Sequence, residues 1–206
     1  KRRDAHVTAI GESDWEEAGL DEEELLEIYR QMYLSRRIDD AQIRLKSQQK
    51  TFFQIAGAGH EAPLVAAGMH LKGGYDWFYP YYRDLALALT IGVTPLEVFA
   101  QAVGSSEDPS SGGRQMPHHW GHKELNIVSQ ASCTGTQILQ AVGASEVGRI
   151  VRKVEEMQEA GVRFEDDEVV YVSIGDGATS EGEFWEGVNH AANNKLPVMF
   201  MVEAEG

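Results

Sequence analysis

Residues 168–206 constrain the fold more than any other stretch. An apolar, β-branched segment over 169–174 leads through Gly175-Asp176-Gly177 into a helical run, and a second apolar segment follows over 198–202. The uninterrupted Val-Val-Tyr-Val-Ser-Ile of the first segment is the pattern of a strand buried on both faces. The glycines on either side of Asp176 let the backbone turn tightly where that strand ends. Ser180 and Glu183 have the spacing of a capping box, which predicts a helix start there. Phe184, Trp185, Val188, Ala191 and Ala192 then recur at helical spacing. Lys195 suits the negative end of the helix dipole, and Pro197 forbids continuation. Two apolar strands joined by one helix predict a parallel, right-handed unit. Ligands of such sheets bind beyond the carboxyl ends of the strands, where Asp176 and Glu205 would both stand.

Upstream, the pattern is mostly helical. Residues 1–20 are polar and acidic and read as an N-terminal arm, leaving 21–206 as one α/β domain. Asp21 and Glu24 repeat the capping pattern ahead of an apolar stripe that begins Leu25, Ile28, Tyr29, Met32, Tyr33. Pro63 suits the first turn of a helix reaching about Leu71, residues 84–91 read as helix, and Thr94, Pro95 and Glu97 mark another helix start. Residues 104–130 lack periodicity, and a loop of that length is functional or disordered. Its second half, Arg114 to His122, carries an arginine, three histidines and a tryptophan, which favours function. One long helix is expected over 136–161. Helices alternating with apolar strands give an α/β class with a mostly parallel sheet flanked by helices. The chain stops at Gly206, directly after a predicted central strand, so the sheet is expected to continue in a longer protein.

A net charge of −15 argues against nucleic acid and anionic membranes as partners, though a local site can still oppose the global field. No apolar run approaches the ~20 residues of a membrane span. The single cysteine, Cys133, excludes a disulfide framework and suits a reducing compartment.

Asp176 has two readings. An aspartate at a strand end is often only a helix cap. With glycines on both sides and a helix N-terminus beyond, an anion can approach the backbone. Carboxylate and phosphate repel, so the combination makes sense when a divalent cation bridges them, as magnesium commonly does. The turn is not the dinucleotide fingerprint, because position 180 is serine, and no Gly-Lys-Ser/Thr loop occurs.

Gly-Asp-Gly-Ala-x-x-Glu-Gly-x-Phe over 175–184, followed by a helix, Leu-Pro and an apolar strand, resembles the thiamine-diphosphate motif. More narrowly, it resembles the alpha subunit of the decarboxylating component of 2-oxoacid dehydrogenases. Gly59-His60-Glu61-Ala62, Tyr81-Tyr82-Arg83-Asp84, Gly113-Arg114-Gln115-Met116-Pro117 with His119, and Thr136-Gln137-Ile138 agree in order and spacing, and Arg-Gln-Met-Pro-x-His is closest to the branched-chain type. The resemblance covers residues 21–206 and implies the thiamine-diphosphate-binding fold.

It implies roles for particular residues. Tyr82 and Arg83 match diphosphate contacts, and a guanidinium fork suits phosphate. Ser132 and Thr134 match cofactor contacts; Gly175, Asp176, Gly177 and Ala178 match the turn around diphosphate and metal. His119 matches an active-site histidine facing the substrate, and Phe53 a wall of the acyl pocket. Thr136 and Gln137 match a potassium site of some relatives, whereas His118 and His122 match no role. Magnesium would be held by Asp176 and by Glu205, 29 residues further on, where the family has asparagine. The implied activity is oxidative decarboxylation of a 2-oxoacid, with acyl transfer to a lipoyl group on a transacylase partner. A beta subunit or beta half would supply a catalytic glutamate, so this chain would not act alone. The alternatives are an acetoin-type thiamine enzyme and a cofactor-free subunit with an assembly role.

Overall fold

The computed structural model describes Trp15, residues 18–162 and residues 164–204. Most of the expected arm and Glu205 lie outside the described residues. The first helix, α1 (Glu22–Ser47), starts in a capping box: Asp21 accepts from the Glu24 amide at 2.8 Å and Glu24 from the Asp21 amide at 2.9 Å. Its inward face buries Ser35, Ile38, Asp39 and Gln42. Tyr29 and Tyr33, counted in the apolar stripe, instead stack on each other in solvent, ring centroids 6.1 Å apart. Tyrosine satisfies an apolar pattern and tolerates water equally, so the stripe overstated the buried face.

Helices α2 (Glu61–His70), α3 (Leu85–Thr90) and α4 (Pro95–Ala102) follow, with strand β1 (Trp77–Tyr79) between α2 and α3. Thr94 and Glu97 form the expected capping box of α4. The long helix expected over 136–161 breaks into α5 (Thr136–Val151) and a short α6 (Glu155–Glu159). Gln158 folds back to donate to the Val151 carbonyl at 3.0 Å, and the Lys153 and Val154 amides both turn back to Ile150. Strand β2 (Val170–Gly175), a 3-10 turn over Asp176–Ser180, helix α7 (Gly182–Asn194) and strand β3 (Val198–Glu203) complete the chain.

The Ser180–Glu183 capping box does not form; the 3-10 turn runs through Ser180 and α7 begins one residue past Glu181, without a side-chain cap. The turn closes on itself instead, Thr179 Oγ1 donating to the Asp176 carbonyl at 2.6 Å. Lys195 ends α7 in the left-handed region as its C-cap.

The described sheet is parallel throughout, in the order β1-β2-β3, with Trp77 opposite Val170 and Val170 opposite Val198. Both faces of β2 are buried, and its side chains alternate between two layers. Tyr171 joins Leu64, Leu85, Leu87 and Val98 from α2, α3 and α4; Val170, Val172 and Ile174 join Ile138 and Ala141 of α5. Full burial of each such side chain contributes about 1.5–3 kcal/mol, so β2 is the natural centre of the molecule. Gly187 brings α7 onto α5; a Cβ there would lie 2.5 Å from Cγ2 of Ile138.

Candidate active site

The carboxyl end of β2 opens into a cleft of about 320 Å³. Every residue of β2 is buried, yet Asp176 beyond it is exposed to the cleft. The wall on one side is Tyr81-Tyr82-Arg83, which follows β1; on another it is Ser132-Cys133-Thr134, which precedes α5. His119 completes the lining. Tyr82, Arg83, His119, Ser132, Thr134, Gly175, Asp176, Gly177 and Ala178, expected from sequence to share a site, therefore face one space. A second opening of about 540 Å³ shares Tyr82, Arg83, His119 and Ser132 with the first and is bounded by Phe53 and Met116. Those four residues form the neck between the two openings.

Close packing places each wall. The Tyr81 hydroxyl stands over Gly175, where a Cβ would come within 2.6 Å of it. Burial first, and then the neighbouring Tyr82 hydroxyl, raise the Tyr81 phenol well above its ordinary range, so it stays neutral. Burial works against the Arg83 guanidinium, but hydrogen bonds to the Tyr81 and Tyr82 hydroxyls more than offset it and its pKa rises. The guanidinium also lies 5.5 Å from the Tyr82 ring centroid.

Behind this wall sits Asp84, fully buried at the start of α3, a residue to which the sequence assigns no site role. It accepts from the Tyr81 amide at 2.7 Å, from the Tyr171 hydroxyl at 3.1 Å and from the Ser173 hydroxyl, and so binds the Tyr81–Arg83 segment to β2. Burial raises its pKa, opposed by those donors. The buried Glu203 carboxyl faces Asp84 without a hydrogen bond of ordinary geometry. Burial, then the Asp84 charge, push its pKa far up, so the pair carries one proton at neutral pH. Its partners on β2 are 87 and 89 residues away and leave no local sequence signal; the only hint was an acid placed between Arg83 and the wholly apolar Leu-Ala-Leu-Ala-Leu.

His119 is buried, and its Nε2 lies 2.8 Å from Ser132 Oγ and its Nδ1 3.3 Å from the Pro117 carbonyl. A carbonyl only accepts, so Nδ1 carries the proton and Nε2 accepts from the Ser132 hydroxyl. Gln137 gives its amide nitrogen to the Ser173 carbonyl at 3.0 Å, a structural commitment at one of the two positions matched to potassium.

Space above Gly177 is open, with no atom within 4 Å of a Cβ built there, and the backbone of the turn is free to approach an anion. Arg83 supplies a charged fork and Asp176 a carboxylate on the facing side. Among the described residues no three His, Cys, Asp or Glu side chains gather as a metal site. One carboxylate is what magnesium needs when phosphate oxygens and water fill its other positions. The residues present fit a magnesium–diphosphate group.

The profile of the family described as Dehydrogenase E1 component matches residues 29–205. The chain belongs to the dehydrogenase E1 component family. This family is in general thiamine-diphosphate-dependent. The chain is 38% identical over 185 residues to the 2-oxoisovalerate dehydrogenase subunit alpha of Bacillus subtilis (strain 168), covering 90% of this chain and 52% of that protein. It is 32% identical over 192 residues to the mitochondrial 2-oxoisovalerate dehydrogenase subunit alpha of Mus musculus, covering 93% of this chain and 40% of that one. It is 30% identical over 187 residues to the mitochondrial subunit alpha 2 of Arabidopsis thaliana. The chain thus spans about half or less of the length of these relatives. No helix among the described residues is long and apolar enough to cross a membrane.

Proposed function

We propose that this chain is the diphosphate-binding part of a branched-chain 2-oxoacid dehydrogenase, acting in oxidative decarboxylation with acyl transfer to a lipoyl group. The observation that carries the reading is the convergence of Arg83, Asp176 and His119, from three distant segments, on one two-compartment cleft. Arg83 and Tyr82 hold the diphosphate, and the Gly175–Ala178 turn receives it beside a magnesium ion on Asp176, with Glu205 as the second carboxylate. Thr134 and Ser132 line the rest of the cofactor. When bound, thiamine diphosphate supplies the electron sink that decarboxylation of a 2-oxoacid requires.

The remaining chemistry belongs to the protein. His119 Nε2 presents a lone pair held toward Ser132. It takes a proton at that atom, or pairs once protonated with the substrate carboxylate at the neck. Phe53 and Met116 bound the side where a branched acyl chain would lie. Names of the relatives, 2-oxoisovalerate dehydrogenase subunit alpha, support this substrate class. A beta partner contributes the glutamate that activates the cofactor, and a lipoyl-bearing transacylase accepts the acyl group. The site of action is bacterial cytoplasm or mitochondrial matrix. Calorimetric titration of the full-length protein, with its beta partner, with thiamine diphosphate and magnesium tests the reading. Saturable, magnesium-dependent binding is expected; no binding overturns it and leaves an assembly role.

A further inference from the structure

The geometry points to His118 as a positioning residue that, with Trp120, locks the loop carrying His119 to the segment carrying Tyr82 and Arg83. Sequence gave His118 no role. In the fold it is fully buried, adjacent to His119, with φ +62°. Its Nδ1 lies 3.1 Å from the Tyr82 carbonyl, an acceptor, so Nδ1–H donates. Trp120, on the other side of His119, donates Nε1–H to the Tyr81 carbonyl at 3.1 Å. The two rings stack with centroids 5.0 Å apart and planes 18° from parallel, so neither donor swings without the other.

Two glutamines complete the lock. The His118 amide donates to Gln101 Oε1 at 2.6 Å, and Gln101 Nε2 donates to the His119 carbonyl at 2.9 Å, which fixes the loop to α4. Gln130 spans the carbonyls of His118 at 3.1 Å and Pro80 at 3.2 Å, its amide nitrogen being the atom that suits both acceptors. Donors on both sides of His119 thus grip consecutive carbonyls of the facing wall. The substrate side and the phosphate side of the neck move as one body, and their separation is set by two rings.

The arrangement is an expensive one for packing alone. A non-glycine residue in the left-handed region is strained, and His118 Nε2 is buried with no partner among the described residues. Burial, opposed by the Tyr82 carbonyl, pushes the ring's pKa down to about 4, so it is a neutral donor at any physiological pH. An aliphatic side chain would remove the orphaned ring nitrogen but would release the Tyr82 carbonyl and still bear the backbone strain.

This role rests on the cofactor reading above, and its test has a part that does not. His118→Asn keeps a donor near the Nδ1 position and tolerates positive φ; His118→Leu has nearly the same shape and no donor. Crystal structures of the cofactor-free, full-length variants are expected to show the Tyr82 carbonyl and His119 displaced from each other in the leucine variant and in place in the asparagine variant. In the assembled enzyme, the leucine variant is expected to lose about tenfold in thiamine diphosphate affinity by calorimetry. Its kcat/KM is expected to fall by up to about a hundredfold, mostly in kcat. The asparagine variant recovers both. An unmoved Tyr82 carbonyl in the leucine variant, or equal losses in both variants, overturns the role. Failure of the wild type to bind cofactor, with the displacement still seen, overturns the cofactor reading instead.

Discussion

Asp176 shows what one residue contributes when its neighbours are fixed. The six residues of β2 before it are buried, and the turn after it is closed by Thr179, so its carboxylate has little freedom except toward the cleft. Asp176→Asn removes the only described carboxylate there, and magnesium affinity measured through cofactor binding is expected to fall by at least about tenfold. Glu205→Asn is the complementary test, because the family resemblance implies asparagine at that position. On the proposed reading it removes one negative charge from the metal–diphosphate site, so cofactor affinity should rise and apparent magnesium affinity should change. An unchanged magnesium dependence would place the second ligand elsewhere. Asp176 was legible from its flanking glycines alone; Tyr82, Arg83, His119, Ser132 and Thr134 were singled out through the family resemblance, the last two with no local pattern of their own. Asp84, Glu203 and His118 were not. Their partners, Ser173, Asp84 and the Tyr82 carbonyl, are distant in sequence, and only folding brings them together.

Among the elements, the long strands and the capped helix starts at Asp21 and Thr94 were readable, whereas strand β1, the α5–α6 break and the start of α7 were not. Strand β1 is three residues long and aromatic, too short for any period to register, and it is held as a strand by β2 on one edge and by a bridge from Phe78 to Ile127 on the other. The α5–α6 break lacks proline or glycine at the turn itself; it is set by packing, since Gly148 of α5 has Phe164 lying against it. Loop 104–130 held another surprise. Its polar first half is organised around the buried Asp108, which accepts from the amides of Ser110, Ser111 and Gly113. The α5–α7 contact gives a direct test. Ile138 is fully buried and cannot retreat from a Cβ at Gly187. Gly187→Ala is expected to destabilise by about 1–3 kcal/mol. In an Ile138→Ala background the same change should be nearly neutral, because the opposing methyl is gone. Additive losses in thermal unfolding would show that the helices do not meet there.

For the molecule as a whole, the question is how the outer helix α1 communicates with a site it does not line. Asp39 on its inward face accepts from the Gly57 amide at 3.0 Å. Gly57 in turn lies so close to the Arg83 carbonyl that a Cβ there would be 2.6 Å from it. Beside this contact, Glu61 is held by Arg36 at 2.6 Å and accepts from the Gly59 amide at 2.8 Å. The cleft wall is therefore backed by a buried carboxylate. Burial, opposed by the Gly57 amide and aided by the Glu61 charge, raises the Asp39 pKa to about 7 from an ordinary 3.8; Arg36 lowers it and Asp40 raises it to smaller extents. The native state thus holds the Asp39 proton over a range where the unfolded chain has released it. Stability must then fall as pH rises from near 3.8 to near 7, and become level above that as far as this group is concerned. Glu203, whose pKa is also raised, adds a loss of the same sign, so the wild-type profile alone does not isolate Asp39. Asp39→Asn does, since it keeps an acceptor for Gly57 and cannot ionise. The wild type should lose melting temperature relative to the variant between pH 5 and pH 7, about the range set by that raised value, and hold a constant offset beyond it. A difference independent of pH would mean that the Asp39 carboxyl is solvated in the native state. The α1–Gly57–Arg83 contact would then not be the dry support that the packing describes.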